Sequence, residues 1–370
     1  MGAAWMLRHW AHRVRSLVPD LHGHQAKTLA LMAWSMCCSG GCQITTMALT
    51  APTRALIAST RRRFERFLAN PRIDVASGSI TLAKALLSNF RGPVRGRGRG
   101  RRITLLLDET ALGPWLLCMK VSVAYRRRAL PLAWTCYRPG ALPIPQPEIV
   151  ELVLRQAAQC LPPDQEVTVV LMADRGLSWP LLIDLCRELG WHYLLRVQEQ
   201  TAVRMNRGPS HPMGSLASRR GESFCGRGEV FRAAGWRESN IVAVWESAES
   251  EPWLLITDLP PRLKRCKEYR RRMWQEEAFR DEKSHGFNWQ RSRVREPDHA
   301  DRLLLVMLLA TWMVIAAGAD LIDRAARRAV ECTSNATLSV FQLGYRWWRY
   351  IAAARCQRPP PLALSQESVG

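Results

Sequence analysis

Alternating apolar and polar stretches divide most of the chain into strands and helices. From residue 103 onward, short β-prone runs bounded by turn residues predict three successive strands. Their sequences are ITLLLDET, LLCMKVSVAY and LPLAWTCYRPG. A helix with regular apolar spacing, EIVELVLRQAAQCL, and a strand, EVTVVLMADRGL, follow. This order predicts an α/β fold in which helices flank a mixed sheet.

The pattern changes on either side of these segments. Residues 1–75 contain short apolar stretches broken by Pro, Gly and Ser, which predict a bundle of short helices. Residues 198–255 lose helical periodicity, and their Gly, Ser and short β-prone runs predict a β-rich insertion. The predicted segments are a helical domain (1–75), a basic linker (76–102), an α/β core in two parts (103–197 and 256–350, the latter with C-terminal helices), the insertion (198–255) and a tail (351–370).

One apolar run has nearly the length of a membrane span. It covers residues 303–320, LLLVMLLATWMVIAAGAD. Because it is a single segment bounded by Asp301 and Asp320 in a strongly basic chain, we interpret it as a helix buried against the sheet. We therefore expect no membrane partner.

The net charge of the chain indicates which class of molecule it binds. The 370 residues include 53 Lys and Arg against 32 Asp and Glu, a net charge of +21, which favours a polyanion such as nucleic acid. The Gly and Arg run at residues 91–102 cannot form a core and is predicted to follow a DNA backbone. Eleven scattered cysteines without a C-x-x-C pair indicate free thiols in a reducing cytoplasm, and the N-terminus lacks the pattern of a signal peptide.

The last helix of the N-terminal bundle carries a cluster of arginines. In TRALIASTRRRFERFLAN, Phe64 and Phe67 are predicted to pack inward while Arg61, Arg62 and Arg63 project. Projecting arginines suit contact with DNA phosphates. A solvated basic face is the alternative.

The stretch at residues 269–286, YRRRMWQEEAFRDEKSHG, is predicted to be one helix. Spacings of three, four and seven residues place Tyr269, Arg272, Glu276 and Lys283 on one face, which we expect to meet a charged ligand. Alternatively, this face is solvated and Glu276 only pairs with neighbouring arginines.

Two further carboxylates follow apolar runs. Asp108 follows the apolar run of ITLLLDET, and Asp174 follows the apolar run of EVTVVLMADRGL, so each is predicted to end a buried strand. Ligands bind at such strand ends in open α/β sheets. Each could instead be a helix cap or a turn residue. Together with Glu276 they make three hard oxygen ligands, the set that two Mg²⁺ ions need for phosphoryl transfer.

These residues resemble a known family. Tyr269, Arg272, Glu276 and Lys283 match the Tyr-Arg-Glu-Lys signature of DDE transposases of the IS-four type, from bacterial insertion sequences. LLLDET and ADRGL match that family's other two acidic positions, and RALPLAW and WLLITDLP are also similar. The resemblance implies an RNase H-like catalytic core at residues 103–197 and 256–350 and a DNA-binding role for the helical domain at residues 1–75. It also implies that Asp108, Asp174 and Glu276 are catalytic and hold two Mg²⁺ (or Mn²⁺) ions, for endonuclease cleavage at element ends and strand transfer.

The resemblance also implies roles for the residues around this triad. Tyr269, Arg272 and Lys283 are expected to grip phosphates beside the scissile bond, with Arg175 and Arg280 as helpers. Trp253 is expected to stack on a base turned out of the duplex, with core packing as the alternative.

The implied partners are double-stranded DNA with terminal inverted repeats, target DNA and a second copy of the chain in a homodimer. The implied location is the cytoplasm, at the nucleoid. A metal-dependent nuclease without strand transfer and a decayed, non-catalytic DNA-binding protein are the alternatives that the sequence leaves open.

Overall fold

The computed structural model describes residues 3–88, 101–162, 167–332, 337–353, 362 and 364. The Gly and Arg run at residues 91–102, apart from its last two residues, lies outside the described residues. Most of the predicted tail does so as well. The chain forms two compact units. The first consists of Met1–Pro93, Glu109–Pro163 and Glu276–Gly370, and the second of Val94–Asp108 and Asp164–Gln275.

The first unit begins with five helices. They are α1 (Ala3–Leu17), α2 (Gly23–Ser39), α3 (Ile44–Thr50), α4 (Ile57–Leu68) and α5 (Val75–Ser88). The last of these lies where the sequence predicts the start of a linker. It is nevertheless a packed helix, because its residues Leu82, Ala83 and Leu86 recur at helical spacing and are fully buried.

The remainder of the first unit combines a hairpin with helices. After the strand β1 (Arg101–Leu112), which enters this unit at Glu109, β2 (Leu116–Tyr125) and β3 (Arg128–Tyr137) pair antiparallel. Arg126 and Arg127 join them with φ of 44° and 62°, the left-handed values that a two-residue hairpin turn requires. The helix α6 (Gln146–Cys160) packs on both strands.

The second unit contains most of the sheet. Its further strands are β4 (Val167–Ala173), β5 (His192–Arg196), β6 (Ala202–Arg204), β7 (His211–Pro212), β8 (Ser223–Val230), β9 (Arg237–Val244) and β10 (Trp253–Thr257), and the helix α7 (Pro180–Glu188) precedes β5. The order is β1-β4-β5-β10-β9-β8-β6-β7. The pairs β1–β4 and β4–β5 are parallel and the pairs from β5 onward are antiparallel, so the predicted mixed sheet is confirmed.

The helix predicted at residues 269–286 is segmented. It consists of α8 (Lys264–Tyr269), a 3₁₀ turn (Arg270–Arg272), α9 (Met273–Arg280) and a π-helical turn (Asp281–His285). The prediction of helix is right, but the prediction of one regular helix starting at Tyr269 is wrong. The 3₁₀ and π-helical turns occur where side chains contact strands that are distant in the sequence. Such irregular helical turns are frequent at functional sites.

Two C-terminal helices complete the first unit. These are α10 (Pro297–Asp323) and α11 (Val340–Ala353), and they cross where Gly318 faces Val340 and Gly344 faces Val314 so closely that a Cβ would collide with a carbonyl. Within the described residues, α10 alone is long and apolar enough to cross a membrane. However, α2, α5, α11 and β3 cover it and 89% of its apolar window is buried, as in a core helix.

Candidate active site

Asp108 and Asp174 lie on adjacent parallel strands. Asp108 lies within β1, just after its last pair with β4, and Asp174 directly follows β4. In the register of β1 with β4, Leu107 is opposite Ala173, so the two aspartates are the next residues on adjacent strands. Neighbouring strands lie about 4.8 Å apart. Asp108 is buried, with 8% of its surface exposed, and Asp174 is half-buried. The sequence prediction that a buried strand ends at the carboxylate is right for Asp174, which follows β4, but wrong for Asp108, because β1 continues to Leu112.

One guanidinium group bridges the two carboxylates. Nη2 of Arg272 lies 2.9 Å from Oδ2 of Asp108 and 3.3 Å from Oδ2 of Asp174. The Arg272 side chain is only 11% exposed, so these ion pairs form largely away from water. Because two acidic oxygens contact the same nitrogen, they are positioned to share a single cation.

Tyr269 supports the end of β4. Its hydroxyl donates to the carbonyl oxygen of Ala173 at 3.0 Å and lies 3.5 Å from Oδ1 of Asp174. Burial raises the pKa of the Tyr269 hydroxyl far above its usual range, and the nearby Asp174 adds to this effect. The phenol is therefore a stable hydrogen-bond donor inside the second unit, with 3% of its surface exposed.

Trp253 is enclosed by side chains of the same unit. Its ring meets Tyr269 edge-on at a centroid distance of 5.6 Å, and the guanidinium groups of Arg196 and Arg270 lie 5.8 and 5.7 Å from its centroid. Trp253 is nevertheless only half-buried, so its stacking on a base stays a prediction. Arg175 points to Glu251, at 2.7 Å, on the exposed rim.

Glu276, Lys283 and Arg280 belong to the first unit. Glu276 is half-buried, and its charge acts on the ammonium of Lys283. Burial lowers the pKa of Lys283, which lies 5.7 Å from the ring of Phe279. Arg280 is exposed and pairs with Glu277 at 2.8 Å. Throughout the described ranges, no group of three or more His, Cys, Asp or Glu side chains is placed to hold a metal ion.

Two buried ion pairs anchor the π-helical turn to the β2–β3 hairpin. Lys120 Nζ lies 2.6 Å from Oε2 of Glu282, and Arg128 Nε lies 2.5 Å from Oδ2 of Asp281. Burial raises the pKa of Asp281 to about 7, although Arg128 opposes this rise. Neither ion pair was predicted from the sequence. The one indication of a buried ion pair is Lys120, a charged residue inside the apolar strand LLCMKVSVAY.

We expect Glu282→Gln to destabilise the protein by about 3–5 kcal/mol, because it leaves the Lys120 ammonium buried without its counter-charge. The Lys120→Met/Glu282→Gln double variant should recover part of this loss, since neither charge remains. Urea denaturation measures both. The matched control is Glu65→Gln, which breaks the exposed Arg61–Glu65 pair and should cost less than about 1 kcal/mol. Equal losses at the two sites would contradict the assignment of the Lys120–Glu282 pair as an anchor.

The three consecutive arginines of α4 point in different directions, because successive helical residues are rotated by about 100°. Arg61 Nε pairs with Glu65 at 2.8 Å on the exposed face. Arg62 lines a shallow exposed cavity with Arg66. Arg63 turns inward, and its Nε donates to Oγ1 of Thr28 on α2 at 2.9 Å.

The fold is a mixed α/β sheet in which Asp108 and Asp174 lie on adjacent parallel strands. Residues 150–313 match the family model described as "Transposase DDE domain". That range includes Asp174, Tyr269, Arg272, Glu276 and Lys283, whereas Asp108 precedes it. The match supports a DDE transposase, a DNA-cleaving enzyme. No curated protein matches the chain.

Proposed function

We propose that the protein is a transposase of the IS-four type, which cuts DNA at the ends of its element and joins the freed ends to target DNA. The observation that carries this proposal is the convergence of Asp108 and Asp174, from adjacent parallel strands, on one cationic nitrogen. The family match over residues 150–313 supports DNA as the substrate. The inverted repeats, the homodimer and nucleoid association remain part of the proposal.

The residue types at this position fit a divalent cation. Carboxylate oxygens are the ligands that Mg²⁺ and Mn²⁺ prefer, and two of them already face the same positive group. We assign Asp108 and Asp174 as ligands, with Glu276 as the third on the strength of its place in the Tyr-Arg-Glu-Lys spacing. Two such cations, when bound, supply activation of water and stabilisation of the departing 3′ oxygen.

Arg272 has a double role in this proposal. Its guanidinium neutralises both aspartates, whose like charges would otherwise repel each other. With a cation held by Asp108 and Asp174, the guanidinium of Arg272 would be free to bind a DNA phosphate, for which its planar fork of donors is well suited. Arg272 therefore links metal binding to phosphate binding.

The other signature residues position these groups or contact DNA. Tyr269 fixes the end of β4, and hence Asp174, through its bond to Ala173. Lys283, near Glu276, supplies a cation for a phosphate oxygen. Arg280, Trp253 and the exposed α4 arginines Arg61 and Arg62 are proposed as outer DNA contacts, and Arg63, which turns toward α2, as a recessed DNA contact.

A joining assay tests this proposal. The substrate is a duplex with a precut 3′ end that carries the inverted repeat flanking the reading frame, mixed with plasmid target and Mg²⁺. We expect covalently joined product, because a transposase uses the 3′-OH as its nucleophile. Cleavage without joining would contradict strand transfer and identify a nuclease. Binding without cleavage or joining would identify a decayed protein.

A further inference from the structure

A concave pocket in the N-terminal bundle collects positive charge from three helices. It has a volume of about 370 Å³, within the range of roughly 300–1,000 Å³ typical of ligand sites. Its charged and titratable lining residues are Arg8, His12 and Arg15 of α1, Lys27 of α2 and Arg63 of α4. The three α1 residues share one face because they are spaced by four and three positions.

Among the described residues, no acidic side chain balances this charge. The lining contains no Asp or Glu, and none of the four Lys and Arg side chains forms an ion pair with a described residue. The three carboxylates among residues 1–88 are engaged elsewhere. Asp20 accepts from Ser77 and Thr81, Glu65 pairs with Arg61, and Asp74 accepts from the backbone N–H of Ser77 in the first turn of α5.

Arg63 is fixed in position at one wall of this pocket. Thr28 donates its hydroxyl hydrogen to the carbonyl oxygen of His24 at 2.7 Å, which leaves Oγ1 to accept from Arg63 Nε at 2.9 Å. Burial and the neighbouring Arg66 lower the pKa of Arg63. A half-buried guanidinium held this way, among like charges, raises the free energy of the folded protein unless an anion joins it.

We propose that this pocket binds a phosphate group of the DNA backbone and so fixes the position of the duplex on the bundle. Clustered guanidinium and ammonium donors recognise phosphate oxygens strongly, and several donors can share one phosphate. The pocket differs from the projecting α4 arginines that the sequence suggests, since most of its cations come from α1 and α2. The proposal rests on DNA being the ligand, as does the proposed function.

The test measures duplex binding by full-length protein over a series of NaCl concentrations without divalent metal, using a fluorescent DNA duplex. Arg15→Gln/Lys27→Gln removes two pocket cations. Because the pocket is proposed to hold one phosphate, we expect the slope of log K against log salt to fall in magnitude by about 0.9. The control, Arg13→Gln/Arg72→Gln, removes two exposed cations outside the pocket and should keep the wild-type slope.

A second arm compares inorganic phosphate with chloride at equal ionic strength by thermal unfolding. Phosphate should raise the wild-type melting temperature and leave the pocket variant unchanged, while the variant itself should be at least as stable as wild type. If phosphate stabilises wild type but the pocket variant keeps the wild-type salt slope, the pocket binds a free anion and its assignment to DNA is overturned. Equal slope changes in the pocket and control variants also overturn it.

The experiment tests phosphate binding by the pocket independently of the proposed catalytic site. Because no divalent metal is present, the result does not depend on Asp108 and Asp174. If wild type binds the duplex and only the pocket assignment fails, the proposed function stands. If wild type does not bind DNA at all, both fail.

Discussion

Asp108→Asn should abolish Mg²⁺-dependent cleavage, with a loss of at least about 10³-fold, because it removes a charged oxygen from the point where Asp174 and Arg272 converge. The amide keeps the size of the side chain and the strand end. Duplex affinity measured without metal should change little. Cleavage rates under single-turnover conditions and binding by fluorescence anisotropy together provide this comparison.

The matched control is Asp184→Asn, which changes an exposed aspartate of the same unit that pairs with Arg237. It should cut DNA at the wild-type rate. Asp174→Asn should reproduce the loss seen at position 108. Glu276→Gln should do so if Glu276 is the third ligand, so near-normal activity in that variant would remove Glu276 from the site while leaving the aspartate pair intact.

Arg272→Met should change catalysis and metal binding in opposite directions. Cleavage should fall by about 10²–10³-fold, because the guanidinium no longer reaches a phosphate. Affinity for Mn²⁺ should rise, because Arg272 no longer competes for the oxygens of Asp108 and Asp174. Isothermal titration with Mn²⁺ gives the affinity, and the cleavage assay gives the rate.

Two comparisons make this result specific to Arg272. Arg271→Met makes the same charge change one residue earlier, where the side chain lies over Trp274, and should leave Mn²⁺ affinity unchanged. Arg272→Lys keeps the charge but loses the planar fork, so it should retain weak metal competition and restore little cleavage. Unchanged or weaker Mn²⁺ binding in Arg272→Met would show that the guanidinium does not compete with metal.

Local sequence accounts well for the strands that carry the two aspartates. Apolar runs bounded by turn residues predicted β2 at its observed limits and placed Asp108 and Asp174 close to the ends of apolar strand runs, because burial of a strand dictates its composition over a few adjacent positions. The direct adjacency of Asp108 and Asp174 depends on the parallel register of β1 with β4, which joins segments far apart in the chain. The pattern of either strand alone does not contain that register.

Long-range contacts explain what the sequence did not predict. The stripe from Tyr269 to Lys283 assumes a uniform helix, but the 3₁₀ and π-helical turns interrupt it. Tyr269 is buried against Ala173, where the sequence suggested a phosphate contact, because its hydroxyl satisfies a carbonyl group at the end of β4. The ion pairs of Lys120 and Arg128 join residues more than 150 positions apart, beyond the reach of any local pattern.

Anomalous diffraction from crystals grown with Mn²⁺ tests most directly whether Asp108 and Asp174 share a divalent cation. We predict an anomalous peak in contact with carboxylate oxygens of both residues, with the Arg272 guanidinium displaced from them. A structure at saturating Mn²⁺ in which Arg272 still bridges the two carboxylates, with no peak beside either, would contradict the claim.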